Sequence, residues 1–433
     1  MHDIYWYLNT NIKGKPVEVE QLLEEIFTLS DQLIRVRDRA YHRQYFANLS
    51  KNRFSILIGQ RGVGKTTLLI QHLKKSYPDY LQSRKAIYVQ ADHFLVKDLS
   101  LYAIAEKFYR LGGELICFDE IHKYPDWSRE LKSITDTFPE LKILASGSSI
   151  LEIHKGTHDL SRRAIIYRLP GLSFREFIEL QVDVKLPGVP LAEILSDHER
   201  LSDFILAVIE KKRERILALF SDYLSFGFYP YFLEFEDRTL FHLTLEQNFH
   251  TTIESDLPAV YPKLNGASIK KISKLLAVIA SSVPFTPDLR KIKQIVEIGD
   301  ERTLKTYFKY LEDAGLIRCL SKSGSAMRKL AKPEKIYLNN PNQIMAISRN
   351  GQENRGNIRE TFFASMLSIT DHQLSIPEKG DFMLDDDSVI EVGGQGKNIS
   401  QVWDMHRSYL AVDDIERGYS RRIPLWLFGF LTS

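Results

Sequence analysis

Residues 59–67 read Gly-Gln-Arg-Gly-Val-Gly-Lys-Thr-Thr and directly follow the apolar run 54–58. This spacing matches the phosphate-binding loop G-x-x-x-x-G-K-[ST] between a strand and a helix. Glycines let backbone N–H groups close around a polyphosphate, and the helix start adds the positive end of its dipole. We therefore expect Lys65 to reach the β- and γ-phosphates of a nucleoside triphosphate and the Thr66 hydroxyl to ligate Mg²⁺. The expected loop contacts are Gly59, Gln60, Arg61, Gly62, Val63, Gly64, Lys65, Thr66 and Thr67.

A pair of carboxylates follows the apolar run 115–118, as Asp119 and Glu120. Ligands of open α/β sheets bind where the parallel strands end. Asp119 is therefore expected to orient the Mg²⁺ shell through water, and Glu120 to polarise the water that attacks the γ-phosphate. A strand that ends in Asp-Glu is common by itself; its place downstream of the phosphate loop favours this interpretation.

Two further groups could complete a hydrolytic centre. The run 142–149 ends a predicted strand in small hydroxyl residues, where Ser146 or Ser148 could sense the γ-phosphate or hold the attacking water. A plain helix cap is the alternative. Arg162 and Arg163 precede the next predicted strand, and one of them could act as an arginine finger on a neighbouring subunit. Surface solvation is the competing interpretation of that pair.

The elements that must position these residues alternate along the chain. Short apolar runs separated by helical patterns predict an α/β fold with a parallel sheet covered on both faces. The predicted strands are 54–58, 86–90, 115–119, 141–145 and 164–169. Ser173-Phe-Arg-Glu176 is a capping box that opens a helical stretch. The predicted domains are a helical segment (1–45), the α/β core (46–172), a helical lid (173–262), a winged helix (263–332) and a C-terminal domain (333–433).

Composition and charge limit the classes of protein to consider. The chain has 433 residues, 44% hydrophobic and 26% charged, which is ordinary for globular protein. It shows neither a signal-peptide pattern nor the ~20-residue apolar run of a membrane span, so we expect no membrane partner. Cys117 and Cys319 lie in apolar runs and are expected to be reduced, which favours a cytoplasmic location. Residues 263–335 carry 16 Lys and Arg against 7 Asp and Glu; this segment could face nucleic acid or be a solvated basic surface.

Four segments together resemble the prokaryotic AAA-like ATPases of the AAA+/STAND neighbourhood: GQRGVGKTT, LICFDEIHKYPDW, ILASGSS and LSRRAIIYRLPGLSFREF. The resemblance covers nearly the whole chain. It implies a P-loop NTPase sheet of the ASCE type, ATP with Mg²⁺ as the cofactors, and homo-oligomers as possible partners. It also matches Arg163 to the finger position, whereas Arg162 stands where a small residue is more usual, and the choice between them stays open.

Residues 289–320 predict two helices with a Gly-containing turn and then a strand, as in a winged helix-turn-helix. Arg302, Lys305, Thr306 and Lys309 share an exposed face of the second helix, suited to phosphate contacts in a major groove of DNA. The same fold often serves as a protein-interaction module, so both kinds of partner stay open.

The C-terminal segment resembles the PD-(D/E)xK nuclease core, as does the matching domain of the family named above. By that match Asp381 and Glu391, on adjacent predicted strands, would be Mg²⁺ ligands, and Glu360 an auxiliary carboxylate. The Lys expected two residues after the Glu is Gly393 here. Lys397 is the nearby substitute, and reaching back would require a tight bend of the glycine-rich segment between them. The apolar tail 423–431 predicts a buried final strand or a subunit contact.

The leading hypothesis from the sequence is an ATP-binding and ATP-hydrolysing ATPase. Its nucleotide state would be coupled to a winged-helix and nuclease-like effector that handles DNA. A second hypothesis is a metal-dependent DNA nuclease in which ATP is only a regulator. A third is a signalling NTPase switch whose partners are proteins only.

Overall fold

The computed structural model of the protein describes most of the chain. The described residues are 19–43, 52–97, 99–147, 160, 162–281, 285–322, 333–347, 355–397 and 407–432. The chain divides into two compact units, Met1–Leu169 and Pro170–Ser433. Within the described ranges, each helix is too short or too polar to cross a membrane.

The first unit is built on a five-stranded sheet whose strands all run parallel, in the order β2-β3-β4-β1-β5. Its strands are β1 (Phe54–Ile58), β2 (Ala86–Gln90), β3 (Leu115–Asp119), β4 (Lys142–Gly147) and β5 (Ile165–Arg168). Strands β1 to β4 are buried along almost their whole length, because helices cover both faces of the sheet. The predicted α/β fold with a parallel sheet is thereby confirmed.

Helices surround this sheet and bury one apolar face each. They are α1 (Val19–Arg37), α2 (Lys65–Ser76), α3 (Tyr80–Ser83), α4 (Phe94–Lys97), α5 (Leu101–Arg110) and α6 (Trp127–Thr137). In α5, for example, the Ser100 side chain caps the helix by accepting from the N–H of Ala103. Leu101, Ile104 and Phe108 then recur at helical spacing and are all buried.

The second unit begins with helices: α7 (Phe174–Val182), α8 (Leu191–Lys211), α9 (Ile216–Asp222), α10 (Arg238–Thr251) and α11 (Leu257–Val260). The predicted capping box opens α7. The Ser173 hydroxyl accepts from the N–H of Glu176 at 3.2 Å, and the Glu176 carboxylate accepts from the N–H of Ser173 at 3.0 Å.

Three helices and a small sheet follow. They are α12 (Gly266–Ala280), α13 (Leu289–Val296) and α14 (Glu301–Asp313), then β6 (Ile317–Leu320) and β7 (Lys335–Leu338), which pair antiparallel. Asp300 caps α14, with its carboxylate 2.8 Å from the N–H of Thr303. The order of elements is the one that we predict for a winged helix, and that domain assignment stays a prediction.

The chain ends in a second five-stranded sheet with the order β12-β11-β10-β9-β8. Its elements are α15 (Pro341–Ile347), α16 (Arg355–Leu367), β8 (Leu374–Ser375), β9 (Phe382–Leu384), β10 (Ser388–Gly393), β11 (Ser408–Val412) and β12 (Arg422–Pro424). Strand β10 pairs antiparallel with β9 and parallel with β11. The apolar tail differs from the predicted strand, because Leu425–Phe430 forms a 3₁₀ helix. All six residues of this helix are buried, and the tight coil packs against α7, α8 and α16.

Candidate active site

The phosphate-binding loop connects β1 to α2 at the edge where the parallel strands end. Gly64 precedes α2 in the left-handed conformation, with φ of 95°, which an ordinary side chain would strain. At Gly59 the constraint is close packing, because a Cβ there would lie 2.5 Å from the carbonyl oxygen of Leu169. The two glycines therefore serve different purposes, a tight turn and a close approach of two backbone segments.

Lys65 is the first residue of α2 and is buried. Its ammonium group donates to the carbonyl oxygen of Gly59 at 3.0 Å and to that of Gln60 at 2.9 Å. These bonds hold a positive charge inside the loop, as the predicted phosphate contact requires. Of the other predicted loop contacts, Val63 is buried, Gly62 is exposed, and Arg61 and Thr67 are intermediate.

Asp119 lies at the end of β3, completely buried, and accepts four hydrogen bonds. Its Oδ2 atom accepts from the Thr66 hydroxyl and from the Tyr88 hydroxyl, both at 2.6 Å. Its Oδ1 atom accepts from the Ser146 hydroxyl and, at 3.1 Å, from the N–H of Glu120. The structure thus brings together Thr66, Asp119 and Ser146, which the sequence predicts to act at one site. Ser148, the alternative to Ser146, lies outside the described residues.

Tyr88 is the participant that the sequence reasoning missed. It lies in the middle of β2, next to β3, so that Tyr88, Asp119 and Ser146 come from three neighbouring strands. Burial and the Asp119 carboxylate raise the pKa of the Tyr88 hydroxyl, which therefore remains a protonated donor. The available signal was a hydroxyl-bearing residue at the centre of a mostly apolar strand.

Glu120 adopts a left-handed backbone conformation, with φ of 53°, at the start of a 3₁₀ turn. A conformation of this kind costs a non-glycine residue about 1 kcal/mol or more and persists where neighbouring contacts impose it. Here the Glu120 N–H donates to Asp119 and lies 3.3 Å from the Ser146 hydroxyl. The backbone of Glu120 is therefore held by the same residues that surround Asp119.

The Glu120 carboxylate faces a histidine ring and a lysine ammonium group. Its Oε2 atom lies 3.5 Å from the Nε2 of His122 and 3.6 Å from the ammonium of Lys123. Burial opposes the charged form of Lys123, but its bond to Asp92 and its proximity to Glu120 raise the pKa, so the lysine stays charged. Within the described residues, Oε2 is buried and accepts no hydrogen bond. Oε2 is therefore an acceptor that the hydrogen bonds of the described residues leave unused.

The donor set at this edge fits a magnesium ion. Mg²⁺ binds hard oxygen ligands, usually one or two carboxylates together with phosphates and water. The Thr66 hydroxyl and the Asp119 carboxylate are such ligands, and they already contact each other. These two residues would hold the ion beside the phosphate-binding loop.

The two candidate finger residues differ in their surroundings. Arg163 forms a two-pronged ion pair with Asp136 of α6, at 2.7 and 2.9 Å, and this pair lowers the pKa of the Asp136 carboxyl. Arg162 is exposed. A role of Arg163 in a neighbouring subunit would require it to leave Asp136. That role and the homo-oligomer stay predictions.

The predicted C-terminal site residues also lie together. Asp381 and Glu391 both contact the ammonium group of Lys397, at 2.9 Å each. Glu360, on α16, accepts from the Tyr337 hydroxyl at 2.9 Å. The glycine-rich segment after Glu391 thus makes the bend that brings Lys397 back.

Comparison with known proteins agrees with the geometry of the first unit. Residues 51–178 match the family model described as an AAA domain. The first unit carries an AAA-like P-loop domain. Residues 217–353 match a second model, described as a domain of unknown function (DUF8612). The predicted resemblance to AAA-like P-loop ATPases is confirmed for the nucleotide-binding domain.

Two proteins of Methanocaldococcus jannaschii, both described as uncharacterized, are similar to this chain. MJ1637 is 26% identical over 303 residues, which are 68% of this chain and 62% of the relative. MJ1544 is 22% identical over 329 residues, 74% of this chain and 68% of the relative. The match therefore spans less than two thirds of MJ1637.

Solved structures with some similarity include the Walker-type ATPase paby2304 of Pyrococcus abyssi. It is 15% identical with a TM-score of 0.39, over 75% of this chain and 97% of that one. PCH-2 of C. elegans is 17% identical with a TM-score of 0.24, over 66% of this chain and 68% of that one.

Proposed function

We propose that this protein binds ATP with Mg²⁺ and hydrolyses it, and that its second unit is the effector that responds to the nucleotide state. The hydrolysis proposal rests on one observation. Thr66, Glu120 and Ser146 are joined by hydrogen bonds to Asp119 at one sheet edge, and Lys65 lies next to Thr66 at the start of α2. No other cluster in the described residues combines a phosphate-binding loop with a buried carboxylate that lacks a hydrogen-bond donor.

Each residue has a defined part in this proposal. The loop amides and Lys65 bind the β- and γ-phosphates, and Thr66 and Asp119 hold the metal ion. When bound, the ion would supply neutralisation of charge on the phosphate oxygens. Glu120 accepts a proton from the attacking water at Oε2, the buried oxygen that has no donor. Ser146 fixes the Asp119 carboxylate through its hydroxyl.

Two variants separate binding from hydrolysis. Lys65→Ala removes the charge that faces the phosphates and is expected to abolish binding of a fluorescent ATP analogue while the protein stays folded. Glu120→Gln keeps the size of the side chain and removes its basicity, so it is expected to bind the analogue normally and to release no phosphate. Unchanged binding in Lys65→Ala would refute the loop assignment. Hydrolysis at the wild-type rate in Glu120→Gln would remove Glu120 from the proposed role.

Contact with DNA is the function that we propose for the basic segment of the second unit. Arg302 and Lys309 are exposed on α14, and Lys305 and Thr306 are half-buried on the same helix. Side chains of this kind neutralise backbone phosphates, and binding then weakens steeply with salt. This arrangement supports the ATPase with a DNA-linked effector over a switch that binds proteins only.

A gel shift with nonspecific duplex DNA at several salt concentrations tests this contact. The double variant Arg302→Ala with Lys309→Ala is expected to bind more weakly and with a smaller salt slope, by about two phosphate contacts. Lys211→Ala, on the exposed surface of α8, is the matched control and should bind as the wild type does. An absent shift, or an unchanged slope in the double variant, would favour protein partners.

A further inference from the structure

A cluster of charged side chains outside the nucleotide site lies at the C-terminal sheet of the second unit. The ammonium of Lys397 makes three contacts: Asp381 Oδ2 at 2.9 Å, Glu391 Oε1 at 2.9 Å, and the carbonyl oxygen of Val392 at 2.8 Å. An ammonium group has three donors. Each donor of Lys397 therefore has an oxygen partner, and the charge lies between the two carboxylates.

The backbone is shaped to place Lys397 there. A Cβ added at Gly393 would lie 2.2 Å from the Cδ of Lys397 and 2.7 Å from its Cβ, so this lysine conformation requires glycine at 393. Arg422 fixes the bend, donating to the carbonyl oxygens of Lys397 at 3.2 Å and Gln395 at 2.8 Å. The missing side chain at 393 and the returning lysine at 397 are thus two parts of one arrangement.

The charges of the cluster are already compensated. Lys335 lies 3.5 Å from Glu360 and 3.7 Å from the Oδ1 of Asp381. Burial, together with Asp381, raises the pKa of the Glu360 carboxyl, which favours its neutral form. The Lys397 ammonium lies 2.9 Å from Asp381 and 2.9 Å from Glu391, so its ion pairs compensate both carboxylates. Asp381 therefore faces two lysine ammonium groups, whereas Glu391 faces that of Lys397.

A divalent ion does not fit this arrangement. The nuclease resemblance implies Mg²⁺ at Asp381 and Glu391, which would need oxygens at about 2.0–2.1 Å on several sides of the ion. The position that contacts both carboxylates holds the Lys397 ammonium instead. Across the part of the chain that the structure describes, no three His, Cys, Asp or Glu residues are placed to hold a metal. One oxygen of Glu391 is buried without a hydrogen-bond partner in the same ranges, so the site keeps an unused acceptor.

We propose that Lys397 is the resident cation of this cluster and takes the place of a metal ion. Asp381 and Glu391 then form a latent site for a hard divalent cation, which opens only when the ammonium is removed. The second unit of the wild-type protein accordingly acts without a metal of its own and leaves phosphodiester bonds intact.

The test counts Mn²⁺ ions bound to the full chain without nucleotide, from the electron paramagnetic resonance signal of free Mn²⁺. Lys397→Ala is expected to bind one more ion than the wild type, and adding Asp381→Asn to it should abolish the gain. Lys379→Ala, an exposed lysine just before Asp381 in the chain, is the matched control and should bind as the wild type does. Any ion at the phosphate-binding loop contributes equally to all of these proteins.

A second variant tests the same proposal by changing the backbone position that leaves room for Lys397. Gly393→Ala places a methyl group where the Lys397 side chain runs and is expected to expel it, with the same gain of one Mn²⁺. Thermal melting identifies which variants are folded, and the count is made on those. An unchanged count in the folded variants overturns the proposal.

Two results with the lysine in place would also overturn it. The first is a Mn²⁺ ion that binds to the wild-type protein and is lost in the single variant Asp381→Asn, because that ion would then bind beside Lys397. The second is cleavage of plasmid DNA by the wild type with Mg²⁺ or Mn²⁺ that disappears in Asp381→Ala. Neither result bears on ATP hydrolysis at the first unit, so the two proposals fail independently.

Discussion

Removing the Tyr88 hydroxyl tests how strongly the hydrogen bonds around Asp119 support hydrolysis. Tyr88→Phe keeps the ring and its packing in β2 and deletes only the donor that lies 2.6 Å from Asp119 Oδ2. The Thr66 hydroxyl, which would also contact the metal ion, and the Tyr88 hydroxyl are the two side-chain donors to this oxygen among the described residues. The variant would therefore lose one of the two side-chain donors to Oδ2, while Oδ1 keeps the Ser146 hydroxyl and the Glu120 N–H.

The expected size follows from the kind of bond that is lost. A hydrogen bond to a charged group contributes about 1.5–3 kcal/mol. If this contribution is fully needed in the transition state, turnover falls about 10- to 100-fold, because each 1.36 kcal/mol corresponds to a factor of ten. Binding of ATP through the loop and Lys65 does not involve Tyr88, so we expect the affinity measured without Mg²⁺ to be unchanged.

The assay measures phosphate release under saturating Mg-ATP, together with analogue binding in the presence of a chelator. Tyr77→Phe is the matched control, because the Tyr77 hydroxyl also bonds to a carboxylate of the first unit, Glu114, at 3.1 Å. That pair makes none of the bonds around Asp119, so its loss should leave turnover intact. Wild-type turnover in folded Tyr88→Phe would refute the idea that this donor positions Asp119.

Two further predictions concern close packing and pH. Gly59→Ala is expected to weaken ATP binding and lower stability, because the new methyl carbon would lie 2.5 Å from the backbone oxygen of Leu169. Gly299→Ala is the control, because a Cβ at that position meets nothing within 4 Å. Equal effects of the two substitutions on ATP binding and stability would contradict the reasoning. His198 is buried, and burial lowers its pKa although neighbouring carboxylates and a backbone hydrogen bond to Ile194 act in the opposite direction. The unfolded chain binds this proton first, so the free energy of unfolding should fall as the pH drops below about 6.5. Urea denaturation on both sides of that pH should show a smaller fall in His198→Leu, and an identical fall would exclude His198 as the cause.

Local sequence patterns were sufficient to predict those parts of the nucleotide site whose functional residues are neighbours in the sequence. The loop at 59–67 and the pair Asp119 and Glu120 each follow an apolar strand, and a parallel sheet brings the ends of such strands to one edge. Ser146 could be named for the same reason. The predicted strand bounds were off by one or two residues at β4 and β5, because the end of a strand depends on its neighbours as well as on its own residues.

Tyr88 could not be predicted in the same way, because its role depends on strand order. A hydroxyl in β2 reaches Asp119 only when β2 lies directly beside β3, and β2 is an edge strand of this sheet with β3 as its one paired neighbour. Alternation along the chain predicts parallel strands without their order. The sequence also predicts nothing about the left-handed backbone of Glu120, which neighbouring hydrogen bonds hold in place.

Lys397 and Gly393 show a different limit of reasoning by spacing. A motif that places a lysine two residues after Glu391 assumes that the side chain must start from position 393. The bend instead carries an ammonium group to the same carboxylates from position 397, and the glycine at 393 is what leaves it room. Gly393 looks like the loss of a functional lysine, but here it leaves the space that allows Lys397 to contact the same carboxylates. Whether this cluster can bind a metal ion therefore depends on the position of the Lys397 ammonium. That ammonium lies between Asp381 and Glu391, where it competes with any metal ion for the same oxygens.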